Sequence, residues 1–236
     1  MNKLLFLLLT SPFFLTAQNA ATELTGAWES TSLGDDGATN TLSMIIQDGY
    51  FAMTAYNEDE KKFIATLGGS YDVSENSFDV TYEFDSSTPE NVGKTVPMPF
   101  VVDGSLLVFN GDKAWQRIDS GDSPLAGAWQ ITGRKQDGEL RRRDNSGPRR
   151  TMKILSGTRF QWIAFNTETA EFSGTGGGTY TSEGDKYVET IEFFSRDPER
   201  VGARLSFDYE IRDNEWHHSG LSSKGDPIYE TWGHRE

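Results

Sequence analysis

Short runs of alternating apolar and polar residues, broken by Gly, Asp and Asn, cover most of this chain, and no apolar period of 3.6 is sustained anywhere. In one run Phe78, Val80, Tyr82 and Phe84 fall on one face while Ser77, Asp79, Thr81 and Glu83 fall on the other. Val96, Met98, Phe100 and Val102 form a second such face, and Leu205, Phe207, Tyr209 and Ile211 alternate with Arg204, Ser206, Asp208 and Glu210 in a third. Period-two alternation means strands with one buried and one wet face, so the pattern predicts an all-β protein. Strands are expected near residues 26–32, 39–46, 49–56, 62–72, 77–85, 95–102, 104–109 and 112–118, and a matching set is expected further along the chain. Eight antiparallel strands suit a closed up-and-down barrel.

The pattern occurs twice. With a constant offset of 109 and no gap, residues 51–93 align with 160–202 at 16 identities in 43 positions, and Leu24-Thr25-Gly26-Ala27-Trp28 returns as Leu125-Ala126-Gly127-Ala128-Trp129. A period near one hundred residues marks a duplicated domain, because solenoid and propeller units are only about 20–50 residues long. The polar segment Asp119-Ser120-Gly121-Asp122-Ser123-Pro124 separates the copies. The division is therefore a first barrel at 24–119, a linker at 120–124 and a second barrel at 125–236.

Residues 1–17 belong to neither copy. Asn2-Lys3, the apolar run Leu4 to Leu9, Phe13-Phe14-Leu15 and the small Ala17 read as a secretory signal peptide, too short and too interrupted for a membrane span. The chain has no cysteine, so neither a lipidated thiol nor a disulfide is available. The expectation is a soluble periplasmic or secreted protein, not a lipoprotein, stabilised by two hydrophobic cores.

Each copy opens on Gly-x-Trp (Gly26-Ala27-Trp28, Gly127-Ala128-Trp129) and closes on an aromatic strand with a basic residue, Trp115-Gln116-Arg117 and Trp232-Gly233-His234-Arg235. This resembles the lipocalin or calycin pattern. The resemblance implies that the first-strand Trp seals the closed end of the barrel and that a basic residue of the last strand covers its ring. Arg117 would then cover Trp28, and Arg235 would cover Trp129. The run from Phe172 to Tyr180, followed by Tyr187 to Phe193, is similar to a lipocalin-like domain of unknown function common in secreted bacterial proteins, whose activity is not established. The disulfides and C-terminal helix of typical extracellular lipocalins are missing here, so their carrier role does not transfer directly.

The Gly174-Thr175-Gly176-Gly177-Gly178 run lacks the Lys-Ser/Thr ending of a phosphate loop and precedes a strand, which excludes that reading. Glycine inside a strand marks a bend, a bulge or close backbone approach; Gly174, Gly176 and Gly178 on one face would also open space beside Tyr180. Comparing the copies locates candidate chemistry. Val80 aligns with Glu189, whose neighbours Tyr187, Ile191 and Phe193 are apolar, so Glu189 is expected inside the second barrel. A buried carboxylate needs a partner, with Arg159 and Tyr209 as candidates. Trp162 enlarges the position of Met53. His217 and His218 must point to opposite faces, so they cannot chelate one ion together, and neither Cys nor His-x-x-x-His accompanies them. No metal, cofactor or named catalytic motif is expected.

Composition divides the copies. Residues 24–119 hold 5 basic against 16 acidic side chains, a balance of −11, whereas 125–236 hold 16 against 18, a balance of −2. The net charge of −14 disfavours nucleic acid and anionic lipid. The exception is a basic segment, Arg134-Lys135, Arg141-Arg142-Arg143 and Arg149-Arg150, between the first two strands of the second copy. It is expected at the open mouth, steering an anion or docking on the acidic first barrel. The leading functional reading is an exported non-enzymatic binding protein, with a small organic or amphipathic ligand held in the second barrel by Trp162, Tyr180, Glu189, Phe207, Tyr209 and His217. The alternatives are a calycin-type isomerase or hydrolase using Glu189 and His217, and a purely structural or interaction protein.

Overall fold

The computed structural model describes residues 17–74 and 77–235. The first copy contains β1 (Gly26–Leu33), β2 (Thr39–Gln47), β3 (Tyr50–Asn57), β4 (Lys62–Val73), β5 (Ser77–Asp85), β6 (Thr95–Asp103), β7 (Leu106–Phe109) and β8 (Ala114–Asp119). These pair antiparallel in chain order and close through β1 and β8. The second copy contains β9 (Gly127–Gln136), β10 (Glu139–Arg142), β11 (Arg149–Leu155), β12 (Arg159–Asn166), β13 (Phe172–Glu183), β14 (Lys186–Phe194), β15 (Arg204–Arg212), β16 (Glu215–Leu221) and β17 (Pro227–His234). Eight of these close a second up-and-down barrel through β9 and β17. The ninth, β10, pairs only with the outer end of β9. The basic segment expected as a loop is thus partly a hairpin, turned at Asp137-Gly138, both with positive φ, as a tight two-residue hairpin requires.

Each barrel is sealed at the Gly-x-Trp end. A helix, α1 (Ala17–Leu24), which the alternation did not predict, lays Ala20 and Leu24 into the first core, and the Leu24 carbonyl accepts the Trp28 indole N–H at 2.8 Å. Leu125 does the same for Trp129 at 3.0 Å. The Arg117 guanidinium lies 4.0 Å from the centre of the Trp28 ring and donates to the carbonyls of Glu23 and Thr25. In the second barrel the ring over Trp129 is His234, at 3.9 Å between centroids, and Arg235 is elsewhere. The register explains this correction. Arg117 pairs with Trp28 and His234 pairs with Trp129, so His234 is the true counterpart of Arg117, two residues after Trp232 as Arg117 is after Trp115. The predicted signal peptide lies almost wholly outside the described residues, and no described helix is long and apolar enough to cross a membrane.

The double glycines mark a bulge in each copy, between Gly68 and Gly69 and between Gly177 and Gly178. One residue of the partner strand, Glu83 or Glu192, is left without an opposite number, and alternation reverses there. Phe84 and Phe193, expected on the interior faces, are consequently turned outward. They sit over the glycines: a Cβ on Gly68 would lie 2.5 Å from the Phe84 ring, and one on Gly177 would lie 2.5 Å from the Phe193 ring.

Those outward rings build the junction between the barrels. Ile45, Ala52 and Phe84 of the first pack with Met152, Ile154, Ile163 and Phe165 of the second in one buried cluster. The contacts repeat with the copies exchanged. Tyr56 meets Phe193 and Phe84 meets Phe165, both at 4.9 Å, although Tyr56 is the counterpart of Phe165 and Phe84 of Phe193. Phe63 stacks on its own counterpart, Phe172. Reciprocal contacts of this kind define an isologous, pseudo-twofold interface. Polar groups complete it. Gln161 donates to Thr66 and to its counterpart Thr175, Arg159 bridges Glu29 and Glu192, and Arg235 forms a two-pronged pair with Glu83 at 2.6 and 2.7 Å while covering Tyr50. Asp119 accepts from Ser156, Gly157 and Thr158 across the same seam.

Candidate functional site

At three equivalent interior positions an apolar side chain of the first barrel is replaced by an ionisable one in the second. Met44 pairs with Trp28 on β1, and its counterpart Lys153 pairs with Trp129 on β9. Val80 corresponds to Glu189, opposite Tyr71 and Tyr180 respectively, and Phe109 corresponds to His218, opposite Phe100 and Tyr209. In the first barrel Met44, Val80 and Phe109 join Trp28, Phe51, Phe78, Phe100 and Leu107 in an apolar core. In the second barrel a basic, an acidic and an imidazole side chain take those three places, beside a cavity of about 810 Å³. That volume is in the range of small-molecule pockets.

Lys153 and Glu189 are both buried and pair directly at 2.8 Å. Tyr187 donates its hydroxyl to the same Glu189 oxygen at 2.8 Å, and burial, followed by the Glu189 charge, pushes the phenol well above its ordinary pKa. The ammonium also lies 5.0–5.3 Å from the ring centres of Tyr187, Trp216 and Trp232, so it is wrapped by aromatic faces as well as paired. The partner of Glu189 is therefore Lys153, and Arg159 is committed to the junction. A second pair, Arg134 with the buried Glu230, lies toward the mouth.

His218 is 2 % exposed and stacks on Phe207 at 4.7 Å. Neither ring nitrogen has a hydrogen-bond partner among the described residues; the nearest carboxylate oxygen, on Glu230, is 3.6 Å from Nε2. Burial first, then the charges of Lys153 and Arg134, hold its pKa well below the usual value, so the ring is neutral at pH 7. The indole N–H of Trp232, which also lines the cavity, is likewise buried without a partner.

Of the residues expected around a ligand, Trp162, Glu189 and Phe207 line the cavity. Tyr180 is instead part of the packed core, its hydroxyl donating to the Ser156 carbonyl at 2.5 Å, and Tyr209 packs against that core without lining the cavity. His217 is corrected outright. It faces outward, bonded through Nδ1 to the Tyr229 hydroxyl at 2.8 Å and beside Arg212, and His218 takes the interior face. A Glu189–His217 dyad is therefore ruled out by strand geometry. The glycines do not jointly open the interior either. A Cβ on Gly174 would meet Arg196 and one on Gly178 the Thr190 carbonyl, while only Gly176 makes room for the cavity-lining rings of Trp162 and Phe194.

At the mouth stand Arg134, Lys135, Arg141, Arg142 and Arg143. Arg149 and Arg150 are not among the lining residues; Arg150 instead borders a small hollow shared with Glu83 and Arg235 at the barrel junction. The sequence comparison missed Lys153 and His218. Both lie outside the 51–93 stretch and its counterpart, yet reading Met44 against Lys153 and Phe109 against His218 in the same 109-residue offset would have found them.

Residues 124–235, which span the second barrel, match a family model described as Domain of unknown function (DUF4488). No curated protein matches the chain.

Proposed function

We propose that this chain is an exported, non-enzymatic binding protein of lipocalin-like type, in which the second barrel holds a small organic or amphipathic molecule and the first serves as its scaffold. One observation supports this above the others. At three equivalent interior positions the first barrel has Met44, Val80 and Phe109 in a packed core, and the second has Lys153, Glu189 and His218 against a cavity. A folded core has no use for a buried lysine–glutamate pair, since apolar residues of similar volume are commonly as stable or more so. Apolar walls with a few fixed polar anchors are what a binding pocket needs.

Native mass spectrometry of the whole chain purified from its source tests the reading, alongside the triple variant Lys153→Met, Glu189→Val, His218→Phe, which installs the first barrel's residues. The expected result is a small adduct on the natural chain that is missing from the triple variant. Bare natural protein that is also unaffected by a panel of amphipathic molecules would count against a binding role.

A further inference from the structure

The cavity's charges are matched in its depth and only partly matched at its mouth. In the depth Lys153 is matched by Glu189, and toward the mouth Arg134 is matched by the buried Glu230. At the rim, Arg142 is matched by Glu215, and Arg141 reaches Asp137 only at 3.5 Å between two largely exposed side chains. Arg143 has no carboxylate within ion-pair distance among the described residues; its guanidinium reaches only the Thr151 hydroxyl, at 3.3 Å. Lys135 has none either, and its ammonium lies 6.0 Å from the Tyr229 ring. Against these, Asp226 is the one lining carboxylate that makes no ion pair among the described residues. The balance at the rim is positive, in a chain whose net charge is −14. The first barrel has Gly34-Asp35-Asp36-Gly37 in the corresponding turn, so the cationic rim is confined to the barrel with the cavity.

Below the rim the wall is apolar and aromatic, with Trp162, Ile191, Phe194, Leu205 and Phe207. Deeper still are the unpartnered nitrogens of His218 and the Trp232 indole N–H, in a region whose formal charges cancel. Resting on the binding role proposed above, we infer that the ligand class of the second barrel is an amphipathic organic anion, its charge held at Arg143 and Lys135, its apolar body along Trp162 and Phe207, and a neutral hydrogen-bonding group reaching His218. A cationic ligand would face the rim charges, and a wholly apolar one would leave both the rim and the buried donors unused.

Two fluorescent probes with one ring system separate the terms: anilinonaphthalene sulfonate, which is anionic, and phenylnaphthylamine, which lacks the sulfonate. Titrated into the whole chain, the sulfonate should bind one to one and more tightly than the neutral probe, with the difference shrinking as salt is raised. The double variant Arg143→Gln, Lys135→Gln should weaken the sulfonate by about 5- to 10-fold, the scale of two exposed ion pairs, and leave the neutral probe unchanged. Trp162→Ala should weaken both. Equal binding of the two probes, or a sulfonate affinity indifferent to the double variant, overturns the anion assignment while leaving a binding barrel. Failure of both probes to bind sinks the binding role with it.

Discussion

At the residue scale, His218 shows how a single substitution inside a duplicated frame changes chemistry. Its counterpart, Phe109, packs on Phe78 in the first barrel, whereas His218 keeps the aromatic stacking and adds two nitrogens. Because burial and the nearby cations hold its pKa well below 6.5, the unfolded chain takes up a proton near that pH and the folded chain does so only much lower. The contribution is fully present above about pH 6.5 and is lost as pH falls below it, at up to about 1.4 kcal/mol per pH unit for one proton. Urea denaturation at pH 7.5 and 5.5 should therefore show a loss of about 1 kcal/mol in the natural chain that is smaller in His218→Phe. His217, also lowered, retains part of the slope. An unchanged loss in the variant would mean that His218 does not titrate as its surroundings require.

At the element scale, the bulges at Gly68-Gly69 and Gly177-Gly178 decide which side chains serve the cavity and which serve the junction. Without the extra residue at Glu192, Phe193 would point inward and the cavity-lining Phe194 outward. The strand order and, within about two residues, the strand boundaries of the first copy were legible, because alternation and Asp-Gly turns are local signals. The reversal of faces was not. The glycine pair announced a bulge, yet alternation alone continued through it, placing Phe84 and Phe193 on the wrong side. Gly177→Ala would put a methyl 2.5 Å from both the Phe160 carbonyl and the Phe193 ring. Such overpacking should cost about 1–3 kcal/mol and loosen Phe193 from Tyr56. A chemical-denaturation midpoint equal to that of the natural chain would show that the rings can give way.

At the scale of the whole molecule, the acidic first barrel and the near-neutral second one meet through reciprocal aromatic contacts and a few buried ion pairs. The Asp119 carboxyl is pushed up by burial but held below its usual pKa by hydrogen bonds from Thr158, Gly157, Gly121 and Ser156, which are strongest to the ionised form. Arg159 joins Glu29 of one barrel to Glu192 of the other, with 14 % of its side chain exposed. Arg159→Met would leave both carboxylates and the Tyr56 hydroxyl facing one another, at a cost of about 3–5 kcal/mol. Calorimetry should show one unfolding transition for the natural chain and two for this variant, as the barrels uncouple. A single transition in both would place the coupling in the aromatic contacts instead.

The sequence by itself determined the all-β class, the two copies, their strands and the Gly-x-Trp entry to each barrel. It also marked Glu189 as interior, since alternation and the copy-to-copy comparison depend only on neighbours along the chain. The tertiary structure decided the rest. That Lys153 answers Glu189, that His234 covers Trp129 and that Arg235 crosses to Glu83 depend on the packing and register of strands far apart in sequence, and that His218 and not His217 faces inward depends on the register of β16 within the sheet. Register is set by bulges and by closure of the barrel, which are properties of the sheet as a whole. Local patterning can say that a face is buried; only the closed fold says against what.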